Sequence, residues 1–480
     1  MADAENGKGG GLTGPGAIID VIEKVITDYW YWILILLAVY FAWKFNLEKE
    51  IFSFIGVVIL GRIAFLLWIH YIQQDFISGI EYVLLEVIPP RDVERNPKAM
   101  ELFISNALYH SSWKGGKEEY WQGAVWFWFS LEIVSLEGQV HFYIRTPSRM
   151  KELIETQMYA QYPQAQVKEV PDYTLVTDKI TETSEWNAWG ADLELDKHFA
   201  FPIKTYVDFG LDKDPKEEYK VDPISPVIEF FGSLGKGEQA WWQIVVKAAW
   251  NQKQYRTKGT WFGTHSWVQE ARLQIEKLLF PYTSRREDPG PGLVKLARIE
   301  VRTPTMLDNS VKAMSAKTSK LGFETGMRIM YLAKQELMPH GTRNNHSRDI
   351  RLVWRQYARP DCNQIERRNA AQGDFYSGVI MSSTKTVMML VDRMFQDYRE
   401  RAFFHLPLRH HIFAKNHWNW PWPGVFSVAG IIKAYAHHQT YILNTEELAT
   451  LWHFPGQILK VPTLERIESK EASPPTNLPT

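Results

Sequence analysis

The hydropathy pattern is dominated by two apolar runs near the N-terminus. The first extends over residues 25–45 and contains an uncharged stretch from Tyr29 to Trp43. As a helix it would be roughly 31 Å long, enough to cross the hydrocarbon core of a bilayer. Its Tyr and Trp residues stand at both ends, where aromatic belts meet the membrane surface. This run predicts a first transmembrane helix.

The second run covers residues 51–72 and has Arg62 near its middle. Its Leu, Ile, Phe and Val residues favour insertion by roughly 4 to 8 kcal/mol, against a cost of about 2.5 to 3.5 kcal/mol for one central arginine. We therefore expect two transmembrane helices within residues 25–72. Two readings of Arg62 stay open: a snorkelling or partner-paired side chain, or a helix contact inside an oligomer.

A short link between the runs makes them a helical hairpin, which places both termini on one side of the membrane. Residues 1–24 read as a disordered tail followed by an interfacial lead-in. Cys362 is the single cysteine, so a disulfide framework is excluded and a reducing compartment is favoured. We expect a protein of the cytoplasmic membrane with both termini in the cytosol.

From Glu81 onward the pattern alternates between strand and helix periods, which predicts an α+β fold. The order over residues 81–173 is β-α-β-β-α-β, with two strands around a Glu-Gly turn. This is the order of a ferredoxin-like (split βαβ) module. The range 174–222 reads as a polar connection carrying one strand at residues 201–209.

A similar order returns in residues 223–334, which predicts a second α+β, ferredoxin-like module. Residues 335–454 read as a mostly helical, Arg-rich region, and residues 455–480 as a Pro-rich disordered tail. The formal net charge is −1, but acidic residues are in excess before position 280 and basic residues after it. A basic C-terminal half could face anionic lipid, nucleic acid or an acidic partner, or be an ordinary solvated surface.

The sequence contains no recognisable catalytic, cofactor-binding or metal-binding motif. The G-x-x-x-x-G-K-[ST] phosphate loop is absent, and the nearest stretch, at residues 232–239, fails in its spacing. Histidines near 410 and 437 have no Cys or carboxylate at metal-ligand spacing. Cys362 reads as an unreactive free thiol, because a nucleophile needs a positioned base. We therefore expect no cofactor and no enzymatic activity.

An arginine-rich stretch is the main candidate for a binding surface. Trp354 and Tyr357 interleave the arginines, as in a surface that contacts phosphates and stacks bases. The alternative is a solvated helix face or an interface with an acidic partner. The arginines are Arg343, Arg348, Arg351, Arg355, Arg359, Arg367 and Arg368.

Several stretches carry a resemblance to known proteins: LLEVIPP, WFSLEIVSLEGQVHFYIRTP, MRIMYLA and, most specifically, NTEELATLWHFPG at residues 444–456. With the two N-terminal spans they resemble an uncharacterised membrane-anchored family of candidate-phylum (Patescibacteria-type) bacteria. The chain is also similar to the N-terminal, non-ATPase part of conjugation-type (type IV secretion) ATPases of the HerA and FtsK-like group. In those ATPases a motor domain follows, whereas this sequence ends in a Pro-rich tail.

The resemblance implies a membrane platform whose motor is a separate HerA/FtsK-like ATPase, with a homo-oligomer, membrane lipid and possible nucleic acid as further partners. It implies packing at the motor junction for the residues that match the last motif: Thr445, Glu446, Glu447, Leu448, His453 and Pro455. The function hypothesis is a non-catalytic platform subunit of a conjugation-like DNA or protein transfer system. The alternative is a membrane-bound enzyme with an unrecognised active site.

Overall fold

A computed structural model describes residue 44 and residues 48–456, apart from several internal segments. Those segments are 91–95, 111–115, 214–220, 250–254, 257–263, 288–296, 302–303, 340–343, 369–383 and 406–439. Almost all of the first predicted span, the first part of the link and nearly all of both terminal tails lie outside the described residues, as do the histidines near 410 and 437.

The chain divides into two compact units. The first comprises residues 1–75 together with 116–123, and its described part is helical. Helix α1 covers Glu48–Ser78, so the apolar run predicted at residues 51–72 is helical and extends further at its C-terminal end. Within this unit the ring of Phe65 stacks on Tyr120, with 6.2 Å between the ring centroids.

The second unit comprises residues 76–115 and 124–480 and has a mixed α+β architecture built on one antiparallel sheet of nine strands. The strands of this sheet are β1 (Tyr82–Ile88), β2 (Phe129–Leu136), β3 (Gln139–Pro147), β4 (Gln166–Val170), β5 (Trp186–Leu195), β6 (Glu238–Ala248), β11 (Gly322–Lys334), β12 (Ile365–Arg368) and β13 (Tyr441–Asn444). Two small hairpins lie outside it: β7 (Tyr255–Arg256) with β8 (Thr264–His265), and β9 (Thr283–Glu287) with β10 (Ala297–Val301).

The strand order across the sheet is β12-β5-β11-β6-β2-β3-β1-β4, and β13 pairs with the first residues of β11. The first four sequence strands thus occupy one half, and β5, β6, β11 and β12 occupy the other. The halves join through β2 and β6, which pair in antiparallel register from Phe129 opposite Val246 to Leu136 opposite Gln239. Each half has the same internal arrangement, in which its first strand lies between its third and its fourth.

The turn predicted between two strands is confirmed at Glu137-Gly138. Both residues have positive φ, 53° and 89°, which is the backbone conformation of a tight two-residue hairpin. A side chain on Gly138 would collide with the carbonyl of Leu234, which lies 2.5 Å from the position of a Cβ. The close approach and the positive φ together require glycine here.

The helices of the second unit lie mostly on one face of the sheet. They are α2 (Pro97–Phe103), α4 (Lys151–Gln161), α5 (Ser225–Gly232), α6 (Trp267–Leu279), α7 (Thr305–Thr318), α8 (Asn345–Asp349), α9 (Thr384–Arg399) and α10 (Thr445–Leu451). Helix α3 (Gly116–Trp121) belongs to the first unit. Residues of α2, α4, α5, α6, α7 and α10 share one apolar core with alternate strand positions such as Trp242 and Ile244. Helix α9 packs on the opposite face, where Val391 and Phe395 meet Trp241 and Met330.

The strand predicted at residues 201–209 is wrong, because that segment forms turns. Its amide groups bond to non-strand partners: Ile203 N–H donates to Glu447 Oε1 at 3.0 Å and Lys204 N–H donates to the Tyr357 carbonyl at 2.9 Å. The strand of this region is β5, at Trp186–Leu195, and it lies inside the sheet rather than in a connection.

Candidate functional site

The arginine-rich stretch is divided by the structure into an exposed part and a paired part. Helix α8 begins at the cap Asn344, whose side chain accepts a bond from Ser347 N–H at 2.9 Å. Arg348, Arg351 and Arg355 on α8 and the turns after it are exposed. These three arginines form a basic surface, which we call the Arg face.

The remaining arginines of the stretch have other surroundings. Arg359 is partly buried and forms ion pairs with Asp208 at 3.1 Å and Asp361 at 3.2 Å. Arg367 and Arg368 lie on β12, where Arg368 stands opposite Asp192 of β5. Arg343 lies outside the described residues.

The aromatic residues between the arginines do not form a stacking surface. Trp354 is 4% exposed and Tyr357 is 0% exposed, and both belong to the core. The Tyr357 hydroxyl donates to the carbonyl of Pro223 at 3.3 Å. The prediction that these rings could stack on bases is therefore wrong, because their apolar area is used in packing.

The C-terminal motif is folded into the core of the second unit. Asn444 and Glu447 form a capping box at the start of α10: each side chain accepts a backbone N–H bond of the other residue, at 2.8 and 2.9 Å. Leu448 packs in the apolar core, and Pro455 is buried. The pattern N-x-x-E at 444–447 is a sequence signature of this cap.

The carboxylate of Glu447 is the most buried charged group of the motif. It is 0% exposed, and its Oε2 lies 2.9 Å from Nζ of Lys317 on α7, which is 1% exposed. Burial raises the pKa of Glu447 and lowers the pKa of Lys317, while the ion pair between them opposes both shifts. The same carboxylate accepts the amides of Ile203 and Asn444, so it joins three segments of the fold.

Neighbouring polar residues of the motif tie α10 to the rest of the unit. Thr445 Oγ1 donates to Glu101 of α2 at 3.0 Å, and Glu446 pairs with Lys320 at 2.7 Å. His453 pairs with Asp222 at 2.9 Å. Burial alone would raise the pKa of Asp222, but the charge and hydrogen bond of His453 and two backbone amides together lower it. All six motif residues thus contribute to packing and closure of the fold.

A second buried network was not found from the sequence. Arg401, which follows α9, donates to both oxygens of Glu132 at 2.9 and 3.1 Å and to Asp172 at 2.6 Å. Glu132 also accepts hydrogen bonds from Ser130 and Tyr173. Arg401 has a φ of 53°, a left-handed conformation that costs a non-glycine residue about 1 to 2 kcal/mol. The one feature of the sequence that indicates this network is Glu132, a single charged residue inside the apolar strand FSLEIVSL.

The remaining titratable groups offer limited chemistry. Among the described residues, no three His, Cys, Asp or Glu side chains are arranged to hold a metal ion. Cys362 is buried, and burial raises the pKa of its thiol to about 11, which suppresses the thiolate. The pocket beside Glu86 and His141 has a volume of about 10 Å³, room for about one water molecule and far below the roughly 300 Å³ of small-ligand sites.

Helix α1 carries a large exposed apolar surface. Residues Gly56–Ser78 are long and apolar enough to cross a membrane, and only 7% of the most apolar window is buried. Phe54 is 70%, Val57 68% and Leu60 66% exposed. Within the described part of the chain, this is the one helix that meets the length and composition of a span.

Comparison with known proteins gives one family. Residues 75–407 match the family model described as Domain of unknown function (DUF8128). The chain belongs to this family. No curated protein and no solved structure matches it. The matched range includes β1 to β12, the Arg face and Arg401, whereas β13 and α10 come after it.

Proposed function

We propose that this protein is a membrane-anchored, non-catalytic platform subunit of a conjugation-like (type IV secretion) DNA or protein transfer system, which docks a separate cytosolic motor ATPase. The observation that carries the proposal is the exposed apolar surface of α1. In water such a contiguous surface exceeds what monomeric proteins tolerate, whereas lipid would cover it. Anchoring is the first element of the proposal.

The anchor is a two-span hairpin in the cytoplasmic membrane, with both termini in the cytosol. Helix α1 would be its second span, and the apolar run at residues 25–45 its first. Hydrophobic length supports the first span, and the single cysteine supports a reducing compartment for the second unit.

The second unit is built from two ferredoxin-like modules, one on each half of the sheet. The order within one half is β4-β1-β3-β2, and within the other it is β12-β5-β11-β6. Both orders, with helices between the strands, fit the split βαβ arrangement. Pairing of β2 with β6 leaves the outer strands β4 and β12 at the edges of the sheet. A further element of the proposal is that the platform assembles as a homo-oligomer.

The Arg face is the docking surface for the motor or for nucleic acid. Three exposed guanidinium groups suit an acidic protein surface or a phosphate backbone. The resemblance of residues 444–456 to the region next to the motor in conjugation ATPases supports a motor partner. The burial of that motif in the core favours the Arg face over the motif as the contact surface.

The anchoring element is tested by cysteine labelling of the full-length protein in cells. In a Cys362→Ser background, single cysteines replace Asn6, Lys49 or Arg272. A membrane-impermeant maleimide should label position 49 in intact spheroplasts, and positions 6 and 272 only after the membrane is opened. Equal labelling of all three positions, or recovery of the protein in the soluble fraction, contradicts the hairpin.

The docking element is tested by affinity purification of the full-length protein in mild detergent. A phosphate-loop ATPase should co-purify with the wild type and be lost with R348E/R351E/R355E. Arg272→Glu is the control, because Arg272 is also exposed but lies on α6. Purifications that never contain such an ATPase, at low salt as well as high salt, refute this element.

A further inference from the structure

Two arginines lie beside the point where the chain leaves α1. Helix α1 ends at Ser78 and β1 begins at Tyr82. Ser148 N–H donates to the carbonyl of Glu81 at 2.8 Å, which fixes the end of β3 beside the start of β1. Arg145 and Arg149 stand on either side of that hydrogen bond in the sequence. Four residues extend at most about 14 Å, so both arginines lie near the C-terminal end of the candidate span.

Each guanidinium group rests on an aromatic ring. Arg145 Cζ lies 3.9 Å from the ring centroid of Tyr82, and Arg149 Cζ lies 3.8 Å from that of Phe127. Among the described residues, neither arginine forms an ion pair. The stacked faces fix the two groups, while their N–H edges remain able to donate to an anion.

The charged groups around Arg145 are two carboxylates and the guanidinium group of Arg401. Glu132 and Asp172 are close enough to influence it, but their oxygens are already bonded to Arg401. Burial, and next the positive charge of Arg401, lower the pKa of Arg145 to about 10. The group is still cationic at neutral pH.

Two buried hydrogen-bond donors at this place have no partner in the part of the chain that the structure describes. They are the indole Nε1 of Trp128, which is 6% exposed, and the hydroxyl of Tyr82. Their ring centroids are 5.8 Å apart. Phe76 and Ile77 of the last turns of α1 pack in the same apolar cluster. Aromatic rings with polar edges at the end of a span are typical of the membrane–water interface.

We propose that Arg145 and Arg149, together with Trp128 and Tyr82, bind the headgroup phosphate of an anionic phospholipid at the membrane surface. The proposal rests on the membrane anchoring proposed above. The position favours lipid over free phosphate, because Phe76 and Ile77, at the end of the candidate span, pack in the same apolar cluster as Trp128 and Tyr82. Two guanidinium groups suit a phosphate better than lysines would, because their planar forks match its oxygens.

The experiment titrates the full-length protein, in a neutral detergent, with phosphatidylglycerol or with phosphatidylcholine, and counts bound lipid by native mass spectrometry. The wild type should bind the anionic lipid more tightly. Loss of about 1 kcal/mol per basic side chain corresponds to about 5-fold weaker binding for R145Q and about 30-fold for R145Q/R149Q. Binding of phosphatidylcholine should not change. Arg272→Gln is the matched control and should leave both affinities unchanged.

Two further measurements separate loss of the lipid site from loss of the fold. R145K/R149K should bind the anionic lipid more tightly than R145Q/R149Q but less tightly than the wild type, because lysines keep the charge and lose the planar fork. Thermal unfolding of each variant reports whether the fold is intact. Equal wild-type affinity for the two lipids, or displacement of lipid by an equal concentration of inorganic phosphate, overturns the lipid site. The maleimide labelling described above then still reports whether the protein is anchored, so the two proposals can fail separately.

Discussion

The burial of Glu447 predicts that two adjacent carboxylates of one motif contribute very differently to stability. Glu446 and Glu447 are neighbours in the sequence, and each pairs with a lysine at 2.7 to 2.9 Å. The pair of Glu447 is fully buried, whereas Lys320, the partner of Glu446, is 30% exposed. Replacing each glutamate by glutamine removes one charge and changes the shape very little.

The expected magnitudes follow from these environments. Glu447→Gln leaves the buried ammonium of Lys317 without a counter-ion, which costs about 3 to 5 kcal/mol. It also replaces one acceptor oxygen by an NH2 group, which cannot accept a backbone N–H, and so weakens the hydrogen bonds from Asn444 or Ile203 by about 1 kcal/mol. Glu446→Gln should cost less than about 1 kcal/mol, because a partly solvated pair gains little over its hydrated charges.

The measurement is guanidinium chloride unfolding of the full-length protein in detergent, followed by tryptophan fluorescence and by circular dichroism. The midpoint should fall strongly for E447Q and slightly for E446Q. The double variant E447Q/K317M should recover part of the loss, because it removes the unpaired ammonium as well. Equal losses of stability for E447Q and E446Q refute the assignment of Glu447 to a buried structural pair. So does a loss for E447Q/K317M that equals the sum of the losses for E447Q and K317M measured separately.

Two further predictions concern the face of the sheet under α9. Burial alone would raise the pKa of Asp172, but Arg401 and the hydrogen bonds of Thr174 together lower it. The stability that Asp172 contributes is therefore fully present above its unfolded-state pKa of about 3.9, and it is lost as the pH falls through the lower pKa of the folded protein. Acid unfolding should be less steep for D172N than for the wild type, and equal slopes would contradict this. A Cβ on Gly326 would collide with the ring of Phe403, so G326A should lower the free energy of unfolding by about 1 to 3 kcal/mol. G456A, which has open space, should leave it unchanged.

Much of the α+β pattern could be predicted from the sequence, because strands such as β6 and β11 carry long β-branched and aromatic runs. Strand β5 was missed since WNAWGADLEL contains Asn, Gly and Asp, which are disfavoured in strands. These disfavoured residues are accommodated in β5 by contacts with residues distant in the sequence. Asp192 accepts from Nε of Arg328 at 2.6 Å, and Gly190 leaves the space that the sulfur atoms of Met330 and Met394 occupy.

For the candidate sites, too, contacts between residues distant in the sequence could not be predicted from local patterns. The sequence located the arginine-rich stretch, and the pattern within it indicated exposed charges, yet it could not separate Arg348 from Arg359, whose partner Asp208 lies far away in the chain. The motif at 444–447 indicated a helix cap. That Glu447 is buried depends on Lys317, 130 residues earlier, and no local pattern contains that information.

The two faces of the sheet carry different interactions, and this has a consequence for the surroundings of Trp128 and Arg145. One face is covered by helices whose apolar side chains share one core, with the buried pair of Glu447 and Lys317 among them. On the other face, Arg401 holds the end of the α9 segment through directional bonds to Glu132 and Asp172. Buried charges lose several kcal/mol when they lose a partner, so this segment has one favourable position. That position places Phe404 against Trp128, with 6.4 Å between the ring centroids, and the charge of Arg401 near Arg145. The polar network thereby sets the geometry and the charge of the surface proposed to meet anionic lipid.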